Sequence, residues 1–224
     1  MLGRTLSIIV AATLLSTPAL ARDESCGDAD QRLSFVSERL RADAHDARVW
    51  AWGWGAGFSA LAAGQAGLAL TRSDRGERAE LFVGAGKSLL GLIPVLALPI
   101  PARRDAAAVD ARIAATSNDA RCAVVPEAEQ SLRRSADDEA FARSWLAHLA
   151  TVAVNAGGLL IVGVGYGRWG TGTAGALVGT LVGEINIFTR PTGALRGQRD
   201  YEGRWSVAPL VTRDAAGLHL SVAY

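Results

Sequence analysis

The chain is poor in lysine, cysteine and histidine, and neither sign of charge dominates it. Lys87 is the sole lysine among 23 basic residues, which face 22 acidic ones. Removing residues 1–21 takes away only Arg4, so the remainder is neutral. That balance leaves no electrostatic case for nucleic acid or for an acidic partner. The three histidines, His45, His148 and His219, fall on three separate elements. No HExxH, CxxC pair or GxSxG occurs. "GAGKS" at 84–88 has the end of a phosphate loop but not its preceding glycine, and it lies inside an apolar run. No catalytic, cofactor-binding or metal-binding constellation is present in the sequence, so a non-enzymatic role is expected.

With only two cysteines, Cys26 and Cys122, the compartment decides the chemistry. The N-terminus reads as an export signal. Arg4 gives a basic start, Leu6 to Leu15 an apolar core, and Ala19-Leu20-Ala21 an A-x-A cut site before Arg22. An uncleaved anchor helix is the alternative. In an oxidising compartment the two cysteines are expected to form one disulfide, with two free buried thiols as the alternative.

What the chain has in abundance is uncharged apolar sequence. Four runs stand out: Val49 to Leu70, Leu81 to Ile100 (broken by Lys87), Trp145 to Gly167, and Gly172 to Thr189 with Glu184 near its end. Each approaches the roughly 20 residues a helix needs to cross a bilayer. The links Thr71 to Glu80 and Arg168–Trp169 are short, which predicts two antiparallel helical hairpins. A polar amphipathic stretch precedes each pair. Leu33, Val36 and Leu40 form an apolar stripe in the first. Pro126, Glu127 and Glu129 mark the first turn of the second. "ARVW" at 47–50 and "ARSW" at 142–145 stand at the two entrances to the apolar layer. Arg snorkels and Trp favours the interface, so Trp50 and Trp145 are expected there.

The expected fold is therefore mainly α. It has two Gly-rich apolar helical hairpins supplying four membrane helices, amphipathic helices outside, and a C-terminal β-hairpin. The expected division is a signal peptide at 1–21, a helical membrane domain at 22–200 in two similar halves (22–101 and 102–200), and the hairpin at 201–224. Two spans separate Cys26 from Cys122 and put both outside, consistent with the disulfide. Against this stands the basic content of the middle segment, where Arg103, Arg104, Arg112, Arg121, Arg133, Arg134 and Arg143 lie on the expected outer side.

In the tail, Trp205 to Thr212 and Gly217 to Tyr224 read as two strands, with Leu218, Leu220, Val222 and Tyr224 alternating. Those last eight residues resemble the C-terminal assembly signal of outer-membrane β-barrels. The resemblance implies a rival fold, a small barrel in which Trp50, Trp52 and Trp54 alternate along a lipid-facing strand.

Two features inside the apolar runs are candidates for function. Gly175, Gly179 and Gly183 share one helix face at four-residue spacing. That face suits either a second copy, giving a homo-oligomer, or packing within the chain on Gly53 and Gly57. Lys87 and Glu184 are intramembrane charges that form either a buried pair or a polar pathway joined by Gln65, Asn155 and Asn186; otherwise Lys87 snorkels and Glu184 sits at the boundary. The pair or the pathway would suit a channel or transport element; the boundary arrangement leaves a structural or assembly role. The expected partner is membrane lipid; no small-molecule ligand is identifiable. The expected location is the bacterial cell envelope, inner membrane ahead of outer.

Overall fold

The computed structural model describes residues 27–97 and 100–205, and the backbone of 207–211 and 216–220. The expected signal peptide and Cys26 lie outside the described residues. The chain is mainly helical. In order come α1 (Ala29–Thr71), α2 (Arg75–Ala97), α3 (Ala102–Ala114), a 3-10 helix (Asn118–Val124), α4 (Val125–Ala142), α5 (Trp145–Tyr166), α6 (Trp169–Thr189) and α7 (Gly193–Trp205).

The first finding is that α1 is one helix of 43 residues, about 65 Å long at 1.5 Å per residue. It joins the amphipathic stretch and the first apolar run without interruption at "ARVW". At "ARSW" the chain does break. Helix α4 stops at Ala142, Ser144 is extended at φ −71° and ψ 160°, and α5 begins at Trp145. The two motifs are therefore not structurally equivalent. Ser144 takes the extended backbone of a residue just before a helix, although its hydroxyl makes no capping bond to α5.

Two regions follow from burial. In the helical head, the first half of α1 packs against α3, α4 and α7. The expected stripe Leu33, Val36 and Leu40 is fully buried there, facing Val109, Val125, Ala128 and Leu132. Ion pairs fasten its rim. Arg32 and the Tyr201 hydroxyl both donate to Glu129, and Ser37 and Arg41 both donate to Asp110 at 2.6 Å. Burial raises the Asp110 carboxyl, but the Arg41 and Ser37 bonds outweigh it and hold the group below its ordinary range.

In the bundle the pattern reverses. Helix α5 exposes Leu146, Leu149, Leu160, Ile161 and Val164 while burying Asn155, Gly158 and Gly163. Helix α6 exposes Leu177, Val178, Leu181 and Phe188 while burying Gly172 and Ile187. Helix α1 packs on α2, α5 packs on α6, and the two hairpins join through α2 and α5. Gly167, at φ +67°, ends α5 in the left-handed conformation that glycine reaches without a Cβ penalty.

The described parts of all four apolar runs are largely helical, the second as far as Ala97, but the expectation of four membrane helices is met only in part. Among the described residues two stretches are long and apolar enough to cross a membrane, one within Arg75–Ala114, which contains α2, and the other Trp145–Tyr166, with mean hydropathy 1.9 and 1.7. The second half of α1 and α6 are diluted by Gly, Thr, Trp and Gln, which add little hydropathy.

The tail also differs. Residues 201–205, expected in the hairpin, belong to α7. Val207–Val211 and Ala216–Leu220 pair antiparallel, with Val207 opposite Leu220 and Val211 opposite Ala216. Their connection and Tyr224 lie outside the described residues. The β-barrel alternative fails on α1. Trp50, Trp52 and Trp54 lie mid-helix, where residues two apart do not share a face.

Candidate functional site

The bundle forms a half-open cavity of about 620 Å³ lined by α1, α2, α5 and α6, with the end of α4 at its head end. It reaches from Trp50 and Arg190 at the head to Glu80 and Thr171 near the hairpin loops. Along α2, Glu80, Gly84, Lys87, Gly91 and Pro94 recur at three- and four-residue steps and so share one face. That face lines the cavity.

Lys87 lies at the meeting of α2, α5 and α6. Its Nζ donates to Asn155 Oδ1 and to the Gly175 carbonyl, each at 3.1 Å. Asn155 in turn donates through Nδ2 to the Thr151 carbonyl at 2.9 Å. The expected Lys87–Glu184 pair does not form. Glu184 instead takes His148 Nδ1 at 2.5 Å. Lys87 sits level with Gly175 and Gly179, and Glu184 lies roughly two turns further along α6, about 10 Å away along the axis. Gln65 packs its amide into the space a Cβ on Gly84 would fill. Asn186 lines the head end of the cavity.

The glycine face of α6 packs within the chain, although not on Gly53 and Gly57, which have open space beside them. A Cβ at Gly179 would overlap the Asn155 amide, and one at Gly183 would overlap Thr151. Gly175 has room for a Cβ and contributes its carbonyl to Lys87.

Polar belts close both ends. At the head end Trp54 donates to Thr189 at 3.0 Å, Arg143 donates to the Phe188 and Arg190 carbonyls, and Arg190 pairs with Asp138 at 2.7 Å. The Arg190 guanidinium lies 5.5 Å from the Trp50 ring centre, while Trp145 stands largely exposed. At the loop end Arg168 bridges Asp74 and Glu80, and Thr171 donates to Glu80.

A second cluster was not anticipated from the residues. Asp43 and Glu139 are buried in the head. Glu139 accepts the Ala194 and Leu195 backbone N–H groups at the start of α7, at 3.2 and 2.6 Å. Burial, reinforced by the Asp43 carboxyl, pushes Glu139 up to about 8, and burial raises Asp43 as well. Gly193 allows the approach, since a Cβ there would stand 2.7 Å from Asp43 Oδ1. The signal was available in part. Asp43 continues the stripe Leu33, Val36, Leu40, and Glu139 continues Val125, Ala128, Leu132. An acid on an apolar stripe is a buried acid.

Among the described residues no His, Cys, Asp and Glu group could hold a metal ion, and none of the described cysteines is free. Cys122 is half-buried against the head core. Compared with known families, curated proteins and solved structures, the chain shows no match.

Proposed function

We propose that the chain is a non-enzymatic integral membrane protein of the bacterial cell envelope, in which the four-helix bundle embeds in lipid and anchors the helical head outside. On this reading residues 1–21 are the cleaved export signal, Cys26 and Cys122 pair in the oxidising space, and the role is structural or in assembly. The observation that carries the reading is the reversed burial of the bundle. Only 18 % and 22 % of the two most apolar windows are buried within the chain, whereas the core helix of a water-soluble domain buries most of its apolar face. Exposed apolar patches beyond a few hundred Å² mark contact with lipid or a partner. Most of the residues packed inside are small or polar, with Phe58, Val95, Val162 and Ile187 among them, as between membrane helices, where lipid already satisfies the large apolar side chains. Lys87 and Glu184 lie on separate partners, Asn155 and His148, which favours the structural role over a channel built on that pair.

Labelling of single added cysteines tests the arrangement. In spheroplasts, Ser117→Cys in the head is expected to react with an impermeant maleimide. Ser73→Cys in the loop of the first hairpin is expected to react only after lysis. Release of the chain from membranes by alkaline carbonate, or equal labelling of both sites, would overturn the reading.

A further inference from the structure

We infer that the groove bounded by α1 and α6, with α2 and α5 as its floor, binds a single-chain amphiphile with a carboxylate head, a long-chain fatty acid, whose head pairs with Lys87. The inference rests on the membrane reading above and goes beyond it by naming a ligand.

The charge argument comes first. An ammonium in an apolar layer is costly without a counter-charge. Lys87 spends two of its three donors on neutral acceptors, Asn155 Oδ1 and the Gly175 carbonyl. Among the described residues it has no ion-pair partner, because the nearby carboxylates are engaged elsewhere: Glu80 with Arg168 and Glu184 with His148. One N–H and one positive charge therefore remain for an anion.

The shape argument selects the anion. Lys87 divides the cavity unequally. From the level of Gly175 and Gly179, the wall continues for about 9 Å to Thr171 and for about 20 Å to Arg190, at 1.5 Å per residue. The short arm carries Gln65, Glu80 and Thr171 beside Leu81, Leu159 and Val162. The long arm is walled by Phe58, Leu90, Pro94, Val154, Val178 and Val182 until it reaches the polar Asn186 and Arg190 at its far end. A polar pocket with an apolar arm about as long as one leaflet is thick, roughly 15 Å, fits a carboxylate with one alkyl chain. A phospholipid fits poorly, since its head group belongs at the interface and Lys87 lies about 10 Å inside, seven residues along α2 from Glu80.

Equilibrium binding of tritiated palmitate to the purified full chain in non-ionic detergent tests this. Saturable binding near one per chain is expected, and hexadecanol, the neutral counterpart, is expected to compete at least about tenfold more weakly, the range of one charged hydrogen bond. Lys87→Met is expected to lower palmitate affinity by a similar factor, and Lys87→Arg to retain it. Ala150→Phe fills the apolar arm without touching the charge, and is expected to abolish palmitate binding while leaving the helical spectrum intact. Equal competition by palmitate and hexadecanol on the wild-type chain would overturn the inference, whatever the variants do. So would unchanged binding in folded Lys87→Met. Carbonate extraction of the same preparation reads the membrane arrangement separately, so a chain that stays in the membrane yet ignores palmitate fails only this inference.

Discussion

The Asp43–Glu139 pair concentrates more electrostatic consequence than any other point in the head. Glu139 titrates near 8, well above its ordinary carboxylate value, because burial and the Asp43 carboxyl both disfavour its charge. In the unfolded chain the group ionises in the usual acidic range. A group whose pKa is raised by folding contributes stability that is present below the unfolded pKa and lost as pH rises through the folded one. Stability is therefore expected to fall between about pH 4.5 and pH 8. The loss is opposed only by the α7 N-terminal N–H groups that Glu139 accepts. Glu139→Gln keeps the shape and removes the proton, so it is expected to flatten that slope. At about pH 9 the variant should exceed the wild type by several kcal/mol, on the order of 4, in urea unfolding of the head. Parallel pH profiles for the two proteins would refute the assignment. Asp110 works in the opposite sense. Its carboxyl is held below the ordinary range by Arg41 and Ser37, so its contribution is present above the unfolded value and disappears as pH falls through the lowered folded one.

The long α1 is the element that makes one molecule of two regions. Its first half carries the head stripe and its second half pairs with α2 in the bundle. A break at "ARVW" would uncouple them. Proline in a helix interior removes a hydrogen bond and clashes with the preceding turn, at a cost of about 3 kcal/mol. Val49→Pro is therefore expected to lower the thermal midpoint in detergent clearly. The same change at the second motif meets a different backbone. Trp145 occupies the first position of α5 and Ser144 before it is already extended, the geometry that proline and its predecessor favour. Trp145→Pro is thus expected to leave the helical content nearly unchanged. Equal losses for the two variants, read by circular dichroism, would show that α1 is interrupted in solution. The amphipathic stripe of α1 was legible because Leu33, Val36 and Leu40 repeat at the helical period. Its continuity was not. Whether a helix runs on through four residues depends on what packs around both of its ends, and "ARVW" and "ARSW" differ locally by one residue.

At the scale of the molecule, the head is expected to be closed by a Cys26–Cys122 bond. Closing a loop of roughly 95 residues is worth about 4–5 kcal/mol in the chain-entropy account. Mass spectrometry of non-reduced peptides from envelope preparations should find the crosslink, and two alkylated thiols would refute it. The apolar runs, the stripe, the inner glycines and the presence of charge at 87 and 184 were all readable in order along the chain, because helical period, length and side-chain polarity are local properties. Four spans were expected where two stretches pass by length and hydropathy, since glycine, threonine and tryptophan dilute α6 and the second half of α1. Tertiary structure alone decided which polar groups meet. Lys87 finds Asn155 and Gly175 rather than Glu184, Gly179 and Gly183 face α5 rather than Gly53 and Gly57, and Glu139 reaches Asp43 and the start of α7. Each of these joins residues far apart in the chain, and each depends on the depth and rotation of one helix against another. A shift of two turns along α6 separates the ion pair the sequence allowed from the uncompensated lysine the packing leaves.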